Sequence, residues 1–301
     1  TAGSTIAIDS RAAHKRHAGR AGIRDVQGDR VGLGWIRITE GRKSWYFCWI
    51  NSGRSPSEIE KMEVRQVDAK QGWQWIVTGF GLFRRIPLVW IILCFTLMLI
   101  AFTLALIPMA GQFIFTLLSP VFLAGIMMGC KALEQGEGLE VAHLLAGFRS
   151  NPAPLITIGG IYLVGQILIL GVFMLVGGDV LMGLLMEGKR VDENELKSVS
   201  GDMLSASLVG LTLSIPLLMA VWFAPLLVIF KGAPPLEAMR LSFFACLKNI
   251  IAFQIYAVIL VVLTILATVP YGLGLFVLIP TVFASIYTSY KDIFESSAVT
   301  A

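Results

Sequence analysis

The fold is decided by the stretch Trp73–Lys131, which reads WQWIVTGFGLFRRIPLVWIILCFTLMLIAFTLALIPMAGQFIFTLLSPVFLAGIMMGCK. It contains two uncharged apolar runs, Leu88–Ile107 and Phe113–Cys130, joined by a short turn at Pro108. A helix rises about 1.5 Å per residue, so a run of about twenty residues crosses a hydrocarbon core about 30 Å thick. The stretch therefore predicts a pair of membrane-spanning helices.

The composition of the whole chain agrees with this prediction. The 301 residues are 56% apolar and 15% charged, and the mean hydropathy is +0.76. A soluble domain usually carries about 25% charged residues. The four cysteines are far apart and include no CxxC pair, so the sequence suggests neither a zinc site nor a disulfide framework.

The same plan is repeated twice downstream. Four more apolar runs predict spans at about Leu155–Val176, Leu204–Phe230, Ile251–Val269 and Leu275–Tyr290. A lysine ends every second run, at Lys131, Lys231 and Lys291. We therefore predict an all-α, polytopic integral membrane protein with six transmembrane helices arranged as three hairpins.

A short amphipathic segment precedes each predicted hairpin. The apolar positions share one face at 3.6 residues per turn. They are Trp73, Ile76, Val77, Phe80 and Phe83 in the first segment, Leu139, Ala142, Leu145 and Phe148 in the second, and Leu236, Met239, Phe243 and Leu247 in the third. This pattern predicts three helices that lie in the membrane interface.

Lysine and arginine predict the orientation, because cytoplasmic loops carry an excess of them. The basic residues on one side of the predicted spans are Arg84, Arg85, Lys131, Arg149, Lys231, Arg240, Lys248 and Lys291. The turns at Pro108 and Pro270 carry none, and the loop Asp179–Asp202 has more acidic than basic residues. We therefore expect both termini and the three interfacial helices in the cytoplasm, and the acidic loop outside.

Residues 1–61 do not share this pattern. They are rich in arginine, glycine and small polar residues, and their one apolar run, Trp45–Ile50, is too short to span a bilayer. The segment is interpreted as a disordered extension, as a basic arm that binds anionic lipid or nucleic acid, or as a gene-model artefact with translation starting at Met62. The last interpretation is favoured. The predicted domains are residues 1–61, a transmembrane domain over 62–294, and a short tail over 295–301.

Several motifs resemble a family of uncharacterised bacterial inner-membrane proteins, the BPSS family. They are Val67–Trp75, Phe83–Pro87, Trp222–Pro225, Pro235–Met239, Ser242-Phe243, Ala245-Cys246, Asn249 and Ser289–Phe294. The resemblance covers about residues 62–294, and members of the family typically start near Met62. It implies a six-helix, multi-pass protein of the bacterial inner membrane and no known activity.

Few residues in the predicted spans carry chemistry. The spans hold no ionisable side chain, so a proton- or sodium-coupled transporter is poorly supported. Gln166 and Gln254 are candidate path-lining residues, although such amides more often bond between helices. His143 has Glu140 one turn away, and we interpret it as a solvated interfacial histidine. The sequence shows no triad, HExxH or P-loop motif, so we predict no enzyme activity, no metal and no cofactor.

The basic hinges are the best indication of function. Arg84, Arg85, Arg149, Arg240 and Lys248 are candidate lipid-headgroup contacts, because each lies beside an apolar stripe at the expected headgroup level. A role in setting topology alone is the other interpretation.

Two functional hypotheses follow. The first is a non-enzymatic inner-membrane protein that acts through anionic lipid or an unknown protein partner, without nucleic acid. The second is an uncoupled transporter or lipid-handling channel with a path near Gln166 and Gln254. An open polar cavity at mid-depth would favour the second hypothesis, and a closed, dry bundle would favour the first.

Overall fold

The computed structural model describes residues 32–37, 45–50, 64–108, 110–150, 152–178 and 193–295. The chain divides into two compact units, Thr1–Ser55 and Pro56–Ala301. In the first unit, strand β1 (Gly32–Arg37) pairs antiparallel with strand β2 (Trp45–Ile50). The sequence did not predict these strands, and the all-α class therefore applies to the described residues from 64 onward. Because the strands are all that is described of residues 1–61, the three interpretations of that segment stay predictions.

The second unit is helical wherever it has regular structure in the described residues. Its helices are α1 (Gln71–Arg85), α2 (Pro87–Ala105), α3 (Ala110–Gln135), a 3₁₀ turn (Val141–Leu145), α4 (Ala146–Ser150), α5 (Pro152–Phe173) with a π turn (Met174–Gly178), α6 (Glu193–Trp222), α7 (Ala224–Lys231), α8 (Pro235–Lys248), α9 (Ile250–Thr268) and α10 (Leu275–Phe294). The predicted hinges lie at helix ends, because α2 begins at Pro87, α5 at Pro152, and Asn249 separates α8 from α9. Proline suits the first helical position, because an N–H at that position would have no acceptor within the helix.

Five of the described helical stretches are long and apolar enough to cross a membrane. They are Pro87–Ala105, Ala110–Gln135, Pro152–Val176, Leu204–Lys231 and Ile250–Thr268, and they match the first five predicted spans. The sixth predicted span lies within α10, which does not qualify on mean hydropathy. Its second half carries hydroxyl and charged residues, including Ser285, Lys291 and Asp292. The fold is therefore an all-helical membrane domain with five candidate spans.

The fourth span differs from its prediction. The sequence predicts one run over Leu204–Phe230 after a polar loop, but α6 already begins at Glu193 and ends at Trp222, before α7. Pro225 explains the break, because proline has no N–H to donate to the preceding turn and its ring collides with that turn. Most of the predicted acidic loop, residues 179–192, lies outside the described residues.

The short helices pack against long helices of a different repeat. The 3₁₀ turn and α4 contact α3, α8 contacts α6 and α7, and α1 contacts α10. The third of these contacts joins the first repeat to the last, so the contacts run around the bundle as a ring.

On the short helices, small residues lie on the inner face together with some large ones, and several large apolar residues face outward. In α1, Gly72 and Gly79 are buried, whereas Trp73 and Val77 are 48% and 43% exposed. In α8, the buried residues include Ala238, Ser242, Ala245 and Cys246, while Leu236 and Leu247 are exposed. Membrane helices show this arrangement because lipid is as apolar as leucine, and small residues let backbones approach closely.

Candidate functional site

The lysines that end the second, fourth and sixth apolar runs meet at one end of the bundle, which we call the basic end. Lys131 Nζ lies 5.1 Å from the ring centroid of Phe230, the residue before Lys231. Lys291 donates a hydrogen bond to the carboxylate of Glu134. The carboxyl ends of α3, α7 and α10 are therefore close together, although they are far apart in sequence.

Glu134 and the neighbouring Leu133 together connect three helices at this end. Its Oε2 accepts a hydrogen bond of 2.9 Å from the Tyr287 hydroxyl, and its Oε1 accepts from Lys291. The neighbouring Leu133 carbonyl oxygen lies 3.5 Å from a guanidinium nitrogen of Arg85, at the end of α1. The Glu134 and Lys291 side chains are 40% and 36% exposed, and such a pair contributes about 0–1 kcal/mol. Its main effect is to fix the relative positions of the helix ends.

The residues just before α1 are held at the same end by α8 and α10. Asn249 Oδ1 accepts from the Val67 amide at 2.8 Å, and Asn249 Nδ2 donates to the Arg65 carbonyl at 3.0 Å. Lys248 Nζ donates to the Val64 carbonyl. The ammonium of Lys248, a predicted headgroup contact, is therefore bound to the protein's own backbone. Asn249 is buried and acts as a clamp on this segment.

Two of the predicted headgroup contacts lie over phenylalanine rings. The Arg84 Cζ lies 5.8 Å from the ring centroid of Phe80 on α1, and the Arg240 Cζ lies 5.9 Å from that of Phe244 on α8. Both arginines and both rings are exposed. A guanidinium over an aromatic face gains electrostatic attraction and keeps its N–H groups free to bind an anion.

Arg85, another of the predicted headgroup contacts, is the residue that reaches the Leu133 carbonyl. Arg149, the last of them, borders a shallow hollow with Glu140, His143 and Ser150. His143 has a structural partner there, because its Nδ1 accepts a hydrogen bond of 3.0 Å from the Glu140 amide. The two side chains form a capping box at the start of the 3₁₀ turn. The sequence predicted a solvated interfacial histidine, and in the structure His143 is half-buried.

The two predicted path-lining glutamines are placed differently. Gln166 Nε2 donates a hydrogen bond of 2.8 Å to the Tyr162 hydroxyl, one turn earlier on the same helix. Gln254 is exposed and lines a groove between α6 and α9. The structure does not bring the two glutamines to one cavity.

The break between α6 and α7 is stabilised by a side chain from α8. The Ser242 hydroxyl accepts a hydrogen bond of 2.9 Å from the Phe223 amide and donates one of 2.7 Å to the Met219 carbonyl. Those two backbone groups would bond to each other in an unbroken helix. Ser242 is fully buried, so it replaces the missing helical bond where water is excluded.

A central cavity of about 350 Å³ lies among the long helices. Residues of α3, α6 and α10 form most of its wall, with Leu97 from α2, Tyr162 from α5 and Pro225 from α7. Its lining is almost entirely apolar. At the basic end, outside this cavity, the Phe230 ring lies 6.2 Å from the ring of Tyr287.

Sequence reasoning missed several residues of this arrangement. Glu134 and Tyr287 were not singled out, because the residues that they contact lie far along the chain. Ser242 appeared only within a motif, and nothing in its neighbours indicates a bond to another helix. The Pro225 two residues after Phe223 was the one signal that could have indicated the break.

These features define a class of protein. The chain is a helical membrane protein whose long helices are apolar and whose basic groups gather at one end of the bundle. It is 29% identical over 256 residues to a "Probable inner membrane protein" of Burkholderia thailandensis, a match that covers 77% of this chain and 94% of that protein. The match confirms the resemblance to bacterial inner-membrane proteins and supports a multi-pass location in that membrane. No protein-family model and no solved structure matches the chain.

Proposed function

We propose that this chain is a non-enzymatic inner-membrane protein that binds anionic lipid through exposed arginines on its short helices. The observation that carries the proposal is the placement of Arg84 over Phe80 and of Arg240 over Phe244, on two separate helices. Each pair combines a cation with an exposed apolar surface, which suits the boundary between lipid headgroups and acyl chains.

The charges near the two arginines support this function. Among the described residues, neither arginine has a carboxylate within ion-pair distance. The helix α1 contains no acidic residue. A guanidinium binds phosphate through two parallel hydrogen bonds, which makes arginine well suited to a phospholipid headgroup.

The alternative is an uncoupled transporter or lipid-handling channel, and transport of a polar substrate has less support. The wall of the central cavity is apolar, and the Gln166 amide bonds within its own helix. A path for a polar substrate needs polar groups along its wall. These features favour binding of lipid over passage of a polar substrate.

We also propose that α10 is the sixth span, that the six spans form three hairpins, and that both termini are cytoplasmic. The 20 residues of α10 are about 30 Å long, which matches the hydrocarbon core. The polar residues that lower its mean hydropathy, among them Thr281, Ser285 and Ser289, are buried against protein rather than exposed to lipid. The excess of lysine and arginine at the basic end supports the orientation.

Lipid competition tests the main proposal. The purified protein is mixed with equal amounts of phosphatidylglycerol and phosphatidylethanolamine that carry the same acyl chains, and native mass spectrometry gives the ratio retained. A charge near the surface contributes about 1 kcal/mol, so we expect Arg84→Gln and Arg240→Gln each to lower the preference for phosphatidylglycerol about fivefold.

Lys70→Gln is the matched control. Lys70 also carries one positive charge at an end of α1, but its ammonium faces the Asp68 carboxylate at 3.5 Å. We expect this variant to keep most of the preference. An unchanged preference in the arginine variants would refute the lipid proposal, and a copurifying polypeptide in place of lipid would favour a protein partner.

Reporter fusions test the topology. A reporter that is active only outside the cytoplasm is inserted within residues 179–192 and, separately, attached after Ala301. Activity at the first position and none at the second is expected. Activity at both positions would contradict a sixth span.

A further inference from the structure

One junction between neighbouring repeats is open where the other two are closed. The helix α3 packs on α5, and α10 packs on α2, in each case joining the second span of one repeat to the first span of the next. The corresponding pair is α6 and α9, whose backbones have few close approaches in the described residues. A groove of about 300 Å³ lies between them instead.

The walls of this groove are apolar except at four positions, which are Trp222, Cys246, Gln254 and Tyr256. The Tyr256 hydroxyl already bonds to the Ser285 hydroxyl, and the Cys246 thiol donates to the Met219 carbonyl. Leu218 and Trp222 lie on the α6 side, and Gln254, Ala257 and Leu260 lie on the α9 side. An acyl chain fits such a wall, because lipid-facing surfaces and acyl chains are equally apolar. The two nitrogen-bearing side chains are therefore the groups that would recognise a particular part of a ligand.

Both nitrogen groups lack acceptors in the part of the protein that the structure describes. The Trp222 Nε1 is buried and has no hydrogen-bond partner there. The exposed Gln254 amide has no hydrogen bond to any described residue. A buried N–H without an acceptor is unfavourable in an apolar environment, so a ligand that brings an acceptor gains affinity.

The fold holds the Trp222 indole in a fixed place. Its ring packs edge-on against Phe253 at 6.1 Å and against Tyr256 at 6.4 Å, both on α9. Trp222 is also the last residue before the break in the fourth span, which Ser242 stabilises. The indole is therefore held rigidly between this groove and the central cavity, both of which it lines.

The depth of the groove indicates which acceptor is available. Gln254 lies four residues after Ile250, the first residue of α9, which places it about 6 Å below that end of the helix. Acyl chains carry no hydrogen-bond acceptor, whereas the ester carbonyls of a glycerolipid lie just below its headgroup. The chemistry of the groove thus matches the glycerol ester region of a lipid with one acyl chain below it.

We propose that the groove between α6 and α9 binds a diacyl glycerolipid, with its ester carbonyls accepting hydrogen bonds from Trp222 Nε1 and the Gln254 amide. The acyl chain lies against Leu218 and Leu260. This site is separate from the arginines of the proposed function, and it does not depend on the charge of the headgroup.

Ester and ether lipids distinguish the proposal from non-specific solvation by lipid. The protein is mixed with equal amounts of a diester phosphatidylethanolamine and its dialkyl ether analogue, which has the same headgroup and chain length but no carbonyls. Native mass spectrometry of the protein with one lipid bound gives the ratio of retained diester lipid to retained ether lipid. A hydrogen bond in a membrane protein is typically modest, so we expect the wild type to prefer the diester about three- to fivefold.

The variants Gln254→Leu and Trp222→Phe each remove one donor and keep most of the apolar surface. We expect each to lower the diester preference, and the double variant to abolish it. Gln166→Leu is the control, because it makes the same change at an amide that already donates to Tyr162. We expect this control to keep the wild-type ratio.

Equal retention of the two lipids by the wild type would overturn the proposal, and so would a preference that survives in the double variant. Size-exclusion profiles confirm that each variant is folded, and the two single variants provide independent tests. Because both lipids carry the same headgroup, the arginine-based function can fail while this preference remains, and the reverse also holds.

Discussion

The contact between α1 and α10 gives the sharpest test of the structure. At Gly79 an added Cβ would lie 2.7 Å from the Ser285 backbone nitrogen and 2.9 Å from the Thr281 carbonyl oxygen. Backbone atoms cannot rotate away as a flexible side chain can. A methyl group at this position must therefore push the two helices apart or distort one of them.

The magnitude follows from two opposing effects. Alanine favours a helix over glycine by about 0.5–1 kcal/mol, whereas overpacking a close contact costs about 1–3 kcal/mol. We expect Gly79→Ala to lower the free energy of unfolding by about 1–2 kcal/mol. Gly81 lies on the same helix, and a methyl group added there would have no neighbouring atom within 4 Å, so Gly81→Ala should leave stability unchanged or raise it.

The assay is unfolding in mixed micelles with increasing sodium dodecyl sulfate, followed by circular dichroism. Both variants make the same chemical change on one helix, so the difference between their unfolding midpoints isolates the contact with α10. If Gly79→Ala were as stable as Gly81→Ala, α1 would not rest on the backbone of α10, and the described packing would be wrong.

Two further predictions concern side chains that bond to backbone. Ser242→Ala leaves the Phe223 amide at the break of the fourth span without a partner, at a cost of about 1–3 kcal/mol, and leaves the Met219 carbonyl with only the weak thiol donor of Cys246. We expect an earlier unfolding midpoint, while Ser150→Ala, at an exposed serine, should leave the midpoint unchanged. Asn249→Ala removes the clamp on residues 64–68, so hydrogen exchange there should become faster, whereas Gln74→Ala, at an exposed amide on α1, should have no such effect. An unchanged midpoint for the first variant, or unchanged exchange for the second, would contradict the hydrogen bonds described.

The sequence predicted the hinges well because they depend on local chemistry. Pro87 and Pro152 each begin a long helix, as the proline pattern indicated. The break in the fourth span was harder to predict from its prolines. Pro216 lies inside α6 without ending it, whereas the helix does break at Phe223, two residues before Pro225. A proline signals a weak point in a helix, and the contacts around it decide whether the helix breaks.

The candidate site was only partly predictable. Arg84 and Arg240 were identified from their positions beside apolar stripes, and their aromatic partners lie one turn away on the same helices. The sequence could not indicate that Lys248 bonds to the backbone at residue 64, because the two are separated by 184 positions. Local pairs are visible in a sequence, and pairs that form only in the folded chain are not.

The sequence by itself determined that this is a helical membrane protein, because runs of about twenty apolar residues can satisfy their backbone in lipid only as helices or closed barrels, and their length fits a helix. Only the tertiary structure decided which face of each helix is inside. In α1 Gly72, Gly79 and Trp75 are buried, while Trp73, Val77 and Phe80 are exposed. In water, large apolar side chains are driven inward. In lipid that drive is absent, so the closeness of backbone packing decides the face, and closeness is a property of two helices together.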